Sequence, residues 1–440
     1  MTSPDLSDAW NPSYNKNDMD KVILVNLAVS PEEKAEAGES LRELAGLAAA
    51  AGISAVRKIR QFRARPHAGC LLGKGKIKDI AALAVESAVD GVIFDRNLSP
   101  AQQRNLEEAL KVPVVDRTQL ILDIFARRAV SREGKLQVEL ARLSYLLPRL
   151  SGKGIALSQL GAGIGTRGPG EKKLEEDRRR IGDRISRIRK EIRSLQKRRS
   201  NQRQSRSRSP VPTAALVGYT SAGKSTLFNA LCRESRFTSP MLFATLDPVL
   251  RRVSFSDGAY FFLSDTVGFI RKLPVELVTS FKTTLEDVRE ASVLIHVIDA
   301  ALPDAQNRME AVESILADIG ASKIPAIRVF NKIDLLPAEE QSRLLAGNAS
   351  APDKSVAVSS LTGRGLPDLL ERLRKILFGD FRIYTLRIPG EADQARRSLA
   401  RRALILKHRE TPGYADYQVM ADPAVIVNYL PYLERGKSPW

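Results

Sequence analysis

Gly218-Tyr219-Thr220-Ser221-Ala222-Gly223-Lys224-Ser225, midway along a chain of 440 residues, keeps the spacing GxxxxGK[ST]. The apolar run Ala214-Ala215-Leu216-Val217 before it reads as a buried strand, and Thr226-Leu227-Phe228-Asn229-Ala230-Leu231 after it as a helix. A glycine-rich turn from strand to helix aims successive backbone N–H groups and the positive helix end at phosphate oxygens. In that geometry the stretch from Gly218 to Thr226 cradles a nucleotide, Lys224 reaches the β- and γ-phosphates, and the Ser225 hydroxyl ligates Mg²⁺. The fold class that follows is α/β, built on a P-loop nucleotide domain.

Asn331-Lys332-Ile333-Asp334 follow the apolar run Ile327-Arg328-Val329-Phe330, and so stand at a strand's C-terminal end, where open α/β sheets bind ligands. A carboxylate at 334 accepts from guanine N1–H and N2–H₂. Adenine offers neither donor and would leave Asp334 desolvated without a partner. Asp265-Thr266-Val267-Gly268 follow Tyr260-Phe261-Phe262-Leu263 in the same way. Asp265 is expected to hold the Mg²⁺ shell through water, and the Gly268 N–H to sense the γ-phosphate. Ser359-Ser360-Leu361, after Val356-Ala357-Val358, are expected to give backbone donors to guanine O6. Within Phe243-Ala244-Thr245-Leu246-Asp247, Thr245 is the expected switch threonine that joins Mg²⁺ when γ-phosphate is present, with Thr238 as the competing choice. Lys224, Thr245, Asp265 and Gly268 are then the catalytic set of a switch-type GTPase whose ligands are GTP and GDP. Many such enzymes carry a polar residue after DxxG to orient the attacking water. Here that place is Phe269, so slow hydrolysis by the isolated protein is expected, with an external partner completing the site.

Charge narrows the partner. Lys and Arg number 69 against 51 Asp and Glu, a net +18, which suits nucleic acid or an anionic membrane. Cys70 and Cys232 are too few for a disulfide framework or a zinc site, and His67, His296 and His408 are scattered. His296 lies in the apolar run 293–298 and reads as a core histidine. Residues 1–20 are polar and read as a disordered tail rather than a signal peptide. No stretch approaches the roughly 20 apolar residues of a membrane span. A monomeric cytoplasmic protein is expected, with peripheral membrane association as the alternative that the charge raises.

The charge is concentrated. From Glu171 to Arg208 there are 16 basic and 6 acidic residues, which is +10 of the +18. Leu174, Ile181, Ile185, Ile188, Ile192 and Leu195 form a heptad seam there, and Leu136, Leu140, Leu143, Leu147 and Leu150 form another upstream. An antiparallel helical hairpin over 131–200 follows, with a glycine-rich connection at 151–170. Helix–helix connections usually take about 2 to 8 residues, so a loop of that length reads as functional. Arg167 at its end and Arg178, Arg179 and Arg180 on the helix are the candidate RNA contacts. Alternating strands and helices over 21–130 indicate an N-terminal α/β domain. Residues 201–212 read as a linker, 213–378 as the GTPase domain and 379–440 as a small α+β domain.

Further motifs go beyond any generic GTPase signature. They are Gly73-Lys74-Gly75-Lys76, Leu98-Ser99-Pro100-Ala101-Gln102-Gln103, the run from Asp116-Arg117-Thr118 to Phe125, Glu133-Gly134-Lys135, Leu147-Pro148-Arg149-Leu150 and Gly168-Pro169-Gly170-Glu171. With the Gly218-Tyr219-Thr220 opening of the P-loop they resemble the HflX family of GTPases, from Val22 to the tail domain. The resemblance implies a factor that binds the large ribosomal subunit, splits stalled ribosomes and hydrolyses GTP in response to the ribosome. It implies that the glycine loop enters the peptidyl-transferase region and that the hairpin contacts ribosomal RNA. The chain departs from the family at Ser221, where asparagine is usual and, in related GTPases, helps hold K⁺; potassium stimulation is left open. Ser360 also stands where alanine is usual. Two other functions fit the same residues: a GTP-regulated ribosome assembly factor, and an RNA-binding switch that uses GTP only as a conformational ligand.

Overall fold

The computed structural model of the chain describes residues 19–150, 169–207, 211–232, 249–266, 268–270, 287–350 and 355–434. They fall into two compact units, divided within the long helix near Arg193.

In the first unit, β1 (Lys21–Ala28), β2 (Ser54–Phe62), β3 (Gly91–Phe94) and β4 (Val114–Asp116) make a parallel sheet in the order β2-β1-β3-β4. The connections are α1 (Pro31–Ala50), α2 (Lys74–Glu86) and α3 (Pro100–Leu110), and α4 (Arg117–Arg128) follows β4. The interior strands β1 and β3 are apolar almost throughout because helices cover both faces of a parallel sheet. Several residues of the quoted motifs hold this fold. Ser99 and Gln102 form a reciprocal capping box at the start of α3, and Gln103 Nε2 donates to the Val114 carbonyl at 2.8 Å. Asp116 ends β4 and caps α4 by accepting the Gln119 N–H at 2.8 Å. Arg117 is fully buried, which its two carboxylate partners make tolerable: Glu43 at 2.7 Å and Asp95 at 2.8 Å.

The hairpin consists of α5 (Arg132–Leu150) and α6 (Pro169–Ser207). Its seam is the one the heptads indicate, with Leu136, Leu143, Ile181, Ile185, Ile188 and Ile192 buried. Arg184 forks onto Glu139 across it, at 2.7 and 2.8 Å. Arg142 and Arg149 of α5 reach back to Asp123 and Asp116 at 3.6 and 3.3 Å, fixing the hairpin's base to the α/β layer. Helix α6 continues to Ser207, so most of the stretch from 201 expected as linker is helix. Arg178, Arg179 and Arg180 are exposed on it. Arg167 and the glycine-rich residues 151–168 lie outside the described residues, as does most of the tail at 1–20.

The second unit carries β5 (Thr213–Gly218), α7 (Lys224–Cys232), β6 (Val249–Ser254), β7 (Tyr260–Asp265), β8 (Val293–Asp299), α8 (Ala305–Asp318), β9 (Ala326–Asn331), α9 (Ala338–Ser350), β10 (Ser355–Ala357) and α10 (Leu366–Phe378). The sheet order is β10-β9-β8-β5-β7-β6, parallel except for β6. The order reverses at β5, which makes its C-terminal end a topological switch point, the usual ligand crevice of such sheets. An antiparallel sheet of β11 (Arg382–Pro389), β13 (Tyr414–Ala421) and β12 (Leu404–Thr411), with α11 (Asp393–Arg402), follows. Leu404 and Met420 of this sheet join the same apolar cluster as Leu373 and Phe378 of α10. Among the described residues no helix is long and apolar enough to cross a membrane.

Candidate nucleotide site

The P-loop leaves β5 at Gly218, whose φ is +148°, and a Cβ there would strike the Val297 carbonyl oxygen of β8. Only glycine lets the chain turn this close to its neighbour strand. Gly223, with φ +95°, has the Asn331 amide where its Cβ would be, and Asn331 Nδ2 donates to the Ala222 carbonyl at 2.9 Å. The P-loop and NKxD segments are thereby locked together before any ligand arrives. Ser221 is left-handed at φ +60° and exposed.

Lys224 opens α7 and is buried. Its Nζ donates to the carbonyls of Gly218 at 3.1 Å and Tyr219 at 2.8 Å. Burial lowers its pKa from 10.5 to about 8, and Asp265 opposes that shift. Phosphate oxygens placed beside this buried ammonium would favour its charged form. Ser225 Oγ donates to Asp265 Oδ2 at 2.9 Å at the end of β7. A hydroxyl and a carboxylate converging there are hard oxygen donors, and they fit Mg²⁺, which takes its remaining ligands from water and phosphate. When bound, the ion would neutralise charge on the phosphates.

Thr266 turns its hydroxyl inward to the Leu216 carbonyl at 2.5 Å, anchoring the segment after β7. Gly268 approaches the P-loop so closely that a Cβ would lie 2.9 Å from Lys224 Nζ and 3.1 Å from Thr220 Cα. Phe269 is buried and its backbone bridges the P-loop: its N–H donates to Gly218 O at 3.1 Å and its O accepts from Thr220 N at 2.7 Å. Its ring serves the core, so it offers no group for orienting water.

Asp334 lies in the short 3-10 turn Ile333–Leu335 and accepts from Ser359 Oγ at 2.5 Å. Asn331 Oδ1 accepts from the Ser360 N–H at 3.0 Å and the Ser360 hydroxyl at 2.8 Å. Lys332, left-handed at φ +66°, pairs with Asp299 at the end of β8 at 2.7 Å. These contacts hold Asn331 and Asp334 in place, and of the residues that make them Asp299 is the one with no role in the sequence reading. Asp299 ending an apolar strand was the available signal. Leu361 is exposed beside them. The Ser360 N–H is thus engaged by Asn331. His296 is buried and neutral, its pKa lowered to about 4 by burial and by Arg328 and Lys224, as suits a core histidine. Phe243, Ala244, Thr245, Leu246, Asp247, Thr238 and Val267 lie outside the described residues.

Residues 38–126, 128–206 and 213–332 match, in that order, the families described as GTP-binding GTPase N-terminal, GTP-binding GTPase Middle Region and 50S ribosome-binding GTPase. The chain is 44% identical over 390 residues to the GTPase HflX of Caldanaerobacter subterraneus subsp. tengcongensis, covering 89% of this chain and 88% of that one. It is 43% identical over 377 residues to the GTPase HflX of Escherichia coli, covering 86% and 87%. Among solved structures it is similar to a GTP-binding protein from Sulfolobus solfataricus in complex with GDP, at 25% identity and a TM-score of 0.42, over 82% of this chain and 99% of that one. A P-loop, a DxxG segment and an NKxD segment after the C-terminal ends of β5, β7 and β9, with relatives of this identity along nearly the whole chain, place it in the HflX family of GTPases, and it is a GTP hydrolase.

Proposed function

We propose that the chain couples GTP binding and hydrolysis to engagement of the large ribosomal subunit, and that this engagement splits or rescues ribosomes. The observation that carries the reading is an assembled site with one part missing. Lys224, the Ser225–Asp265 pair and the Asn331–Asp334 segment stand at the C-terminal ends of strands of one sheet, while Phe269, where a water-orienting side chain would stand, is buried and stitched to the P-loop. Turnover then depends on a partner, and the GTPase domain's match is to a 50S ribosome-binding family. Lys224 is to leave its P-loop carbonyls for the β- and γ-phosphates, and Asp334 is to accept from guanine N1–H and N2–H₂. The Gly268 N–H is to meet the γ-phosphate, which draws the DxxG segment against the P-loop. Ser225, Thr245 and, through water, Asp265 are the proposed Mg²⁺ set. Ser221 and neighbouring carbonyls are the proposed, weaker, K⁺ position. Exposed Arg178, Arg179 and Arg180 are proposed to meet ribosomal RNA.

Single-turnover hydrolysis with and without saturating large subunits tests the coupling, and light scattering of whole ribosomes with a non-hydrolysable GTP analogue tests splitting. Stimulation together with a fall in scattering is expected. No stimulation would make the protein a non-catalytic RNA-binding switch. Preference for precursor over mature subunits would make it an assembly factor.

A further inference from the structure

Thr220 is the third residue of the P-loop, and its two hydrogen-bond donors behave differently. Its backbone N–H is already engaged, donating to the Phe269 carbonyl at 2.7 Å. The residue is only 3% exposed, yet its Oγ1 has no hydrogen-bond partner among the described residues. Four other hydroxyls around the site each have one: Ser225 donates to Asp265, Thr266 to the Leu216 carbonyl, Ser359 to Asp334 and Ser360 to Asn331. Nearly all buried polar atoms in folded proteins are paired, so an unpaired hydroxyl beside a ligand site needs a physical reason.

The surroundings of the side chain supply one. Thr220 Cγ2 lies 3.0 Å, and Lys224 Nζ 2.9 Å, from the point that a Cβ on Gly268 would occupy. A P-loop side chain, the P-loop ammonium and the DxxG glycine thus meet at one spot. The methyl and the hydroxyl of Thr220 share one Cβ, so the hydroxyl borders that spot or reaches it by one step in χ1. Valine has nearly the same shape and no polar atom to desolvate, so packing alone would be served better by valine. An acceptor that arrives with the ligand accounts for the hydroxyl. A γ-phosphate oxygen beside Lys224 is such an acceptor: it is anionic, and GTP carries it while GDP does not.

We infer that the Thr220 hydroxyl donates to an oxygen of the γ-phosphate, which makes Thr220 a specificity-determining residue that favours GTP over GDP. The inference rests on the proposed placing of the γ-phosphate at the Gly268 N–H and adds a side chain to that contact. Through its own N–H on the Phe269 carbonyl, the same residue ties the γ-phosphate to the segment after DxxG. Loss of the γ-phosphate removes the acceptor and leaves the hydroxyl unpaired again, so the contact is made in the triphosphate state alone.

The test compares Thr220→Val, which removes the hydroxyl, with Thr220→Ser, which keeps it, in the full chain. Affinities for GDP and for the β,γ-imido analogue of GTP are measured by fluorescence titration, and melting temperatures are taken in nucleotide-free buffer. Thr220→Val should bind the analogue roughly tenfold more weakly and GDP within about twofold of the parent, and Thr220→Ser should recover most of the loss. Without nucleotide, Thr220→Val should melt about 2–4 °C higher, because one unpaired buried hydroxyl is gone. Parental affinity for the analogue in Thr220→Val would overturn the inference. So would an equal loss for GDP and the analogue, or a loss that serine does not restore, since either would reduce Thr220 to P-loop shape. A lower melting temperature would overturn it too, by showing that the folded protein satisfies the hydroxyl itself. Lys224→Met tells this contact apart from the placing of the phosphates. If Lys224→Met loses both nucleotides while Thr220→Val binds the analogue as the parent does, only the Thr220 contact falls. Parental binding by Lys224→Met would move the phosphates away from this spot, and both would fall.

Discussion

Lys224 gives the P-loop a pH dependence whose two halves run in opposite directions. In the ligand-free protein its pKa is lowered from 10.5 to about 8, mainly by burial. Nucleotide phosphates placed against Lys224 as proposed would raise it again, so binding should require the protonated form and take up a proton wherever the free protein has lost it. With a free-state pKa of about 8, roughly a tenth of the lysine remains charged at pH 9, so affinity for GDP should fall about tenfold between pH 7 and 9, or about 1.4 kcal/mol. The sign reverses for folding. Above pH 8 the unfolded chain holds the proton that the folded chain has released, so ligand-free stability should rise by about 1 kcal/mol over the same range. His296, with a pKa of about 4, stays neutral throughout and does not contribute. The assay is fluorescent-GDP titration and urea unfolding at matched pH values, each taken as the difference from Lys224→Met, which should lack both slopes. Affinity independent of pH between 7 and 9 in the parent would refute the reasoning, as would two slopes of the same sign.

Gly268→Ala should cost about 1–3 kcal/mol of stability or displace the DxxG segment, because the new methyl meets Thr220 backbone as well as Lys224; thermal melts and single-turnover hydrolysis read the two effects. Asp334→Asn should lower the preference for GDP over ADP by roughly 10- to 100-fold, since an amide cannot accept from both guanine donors; unchanged GDP affinity by titration would mean that the base pocket lies elsewhere. Ser221→Asn should increase stimulation of hydrolysis by K⁺ over Na⁺, and asparagine should tolerate the left-handed φ of +60° at least as well as serine; equally strong stimulation in parent and variant would mean that Ser221 or the backbone carbonyls suffice. Replacing Arg178, Arg179 and Arg180 by Gln should flatten the salt dependence of subunit binding by about two to three units while leaving intrinsic hydrolysis unchanged; an unaltered slope would leave these arginines as a solvated helix face.

The sequence by itself determined the GTPase architecture and marked the candidate nucleotide motifs, because those features are local. GxxxxGK[ST], DxxG and NKxD each occupy one turn after one apolar strand, so reading a few neighbouring residues is enough. The hairpin seam was legible for the same reason: a period of seven along one helix marks which isoleucines are buried. Strand β2 is not legible in the sequence because it is an exposed edge in which Arg57, Lys58 and Arg60 hide the apolar alternation. Helices α2 and α4 are hard to read for other reasons: α2 starts with lysines and no side-chain cap, and α4 puts polar Arg117, Gln119 and Asp123 in the interior. Only tertiary structure pairs Arg117 with Glu43 and Asp95, distant in the chain. Only it brings Ser359 to Asp334 and Ser360 to Asn331, and lays Phe269 across Gly218 and Thr220. A motif states which groups will meet the ligand. Which groups hold them still depends on contacts made across the sheet, where separation along the chain carries no information.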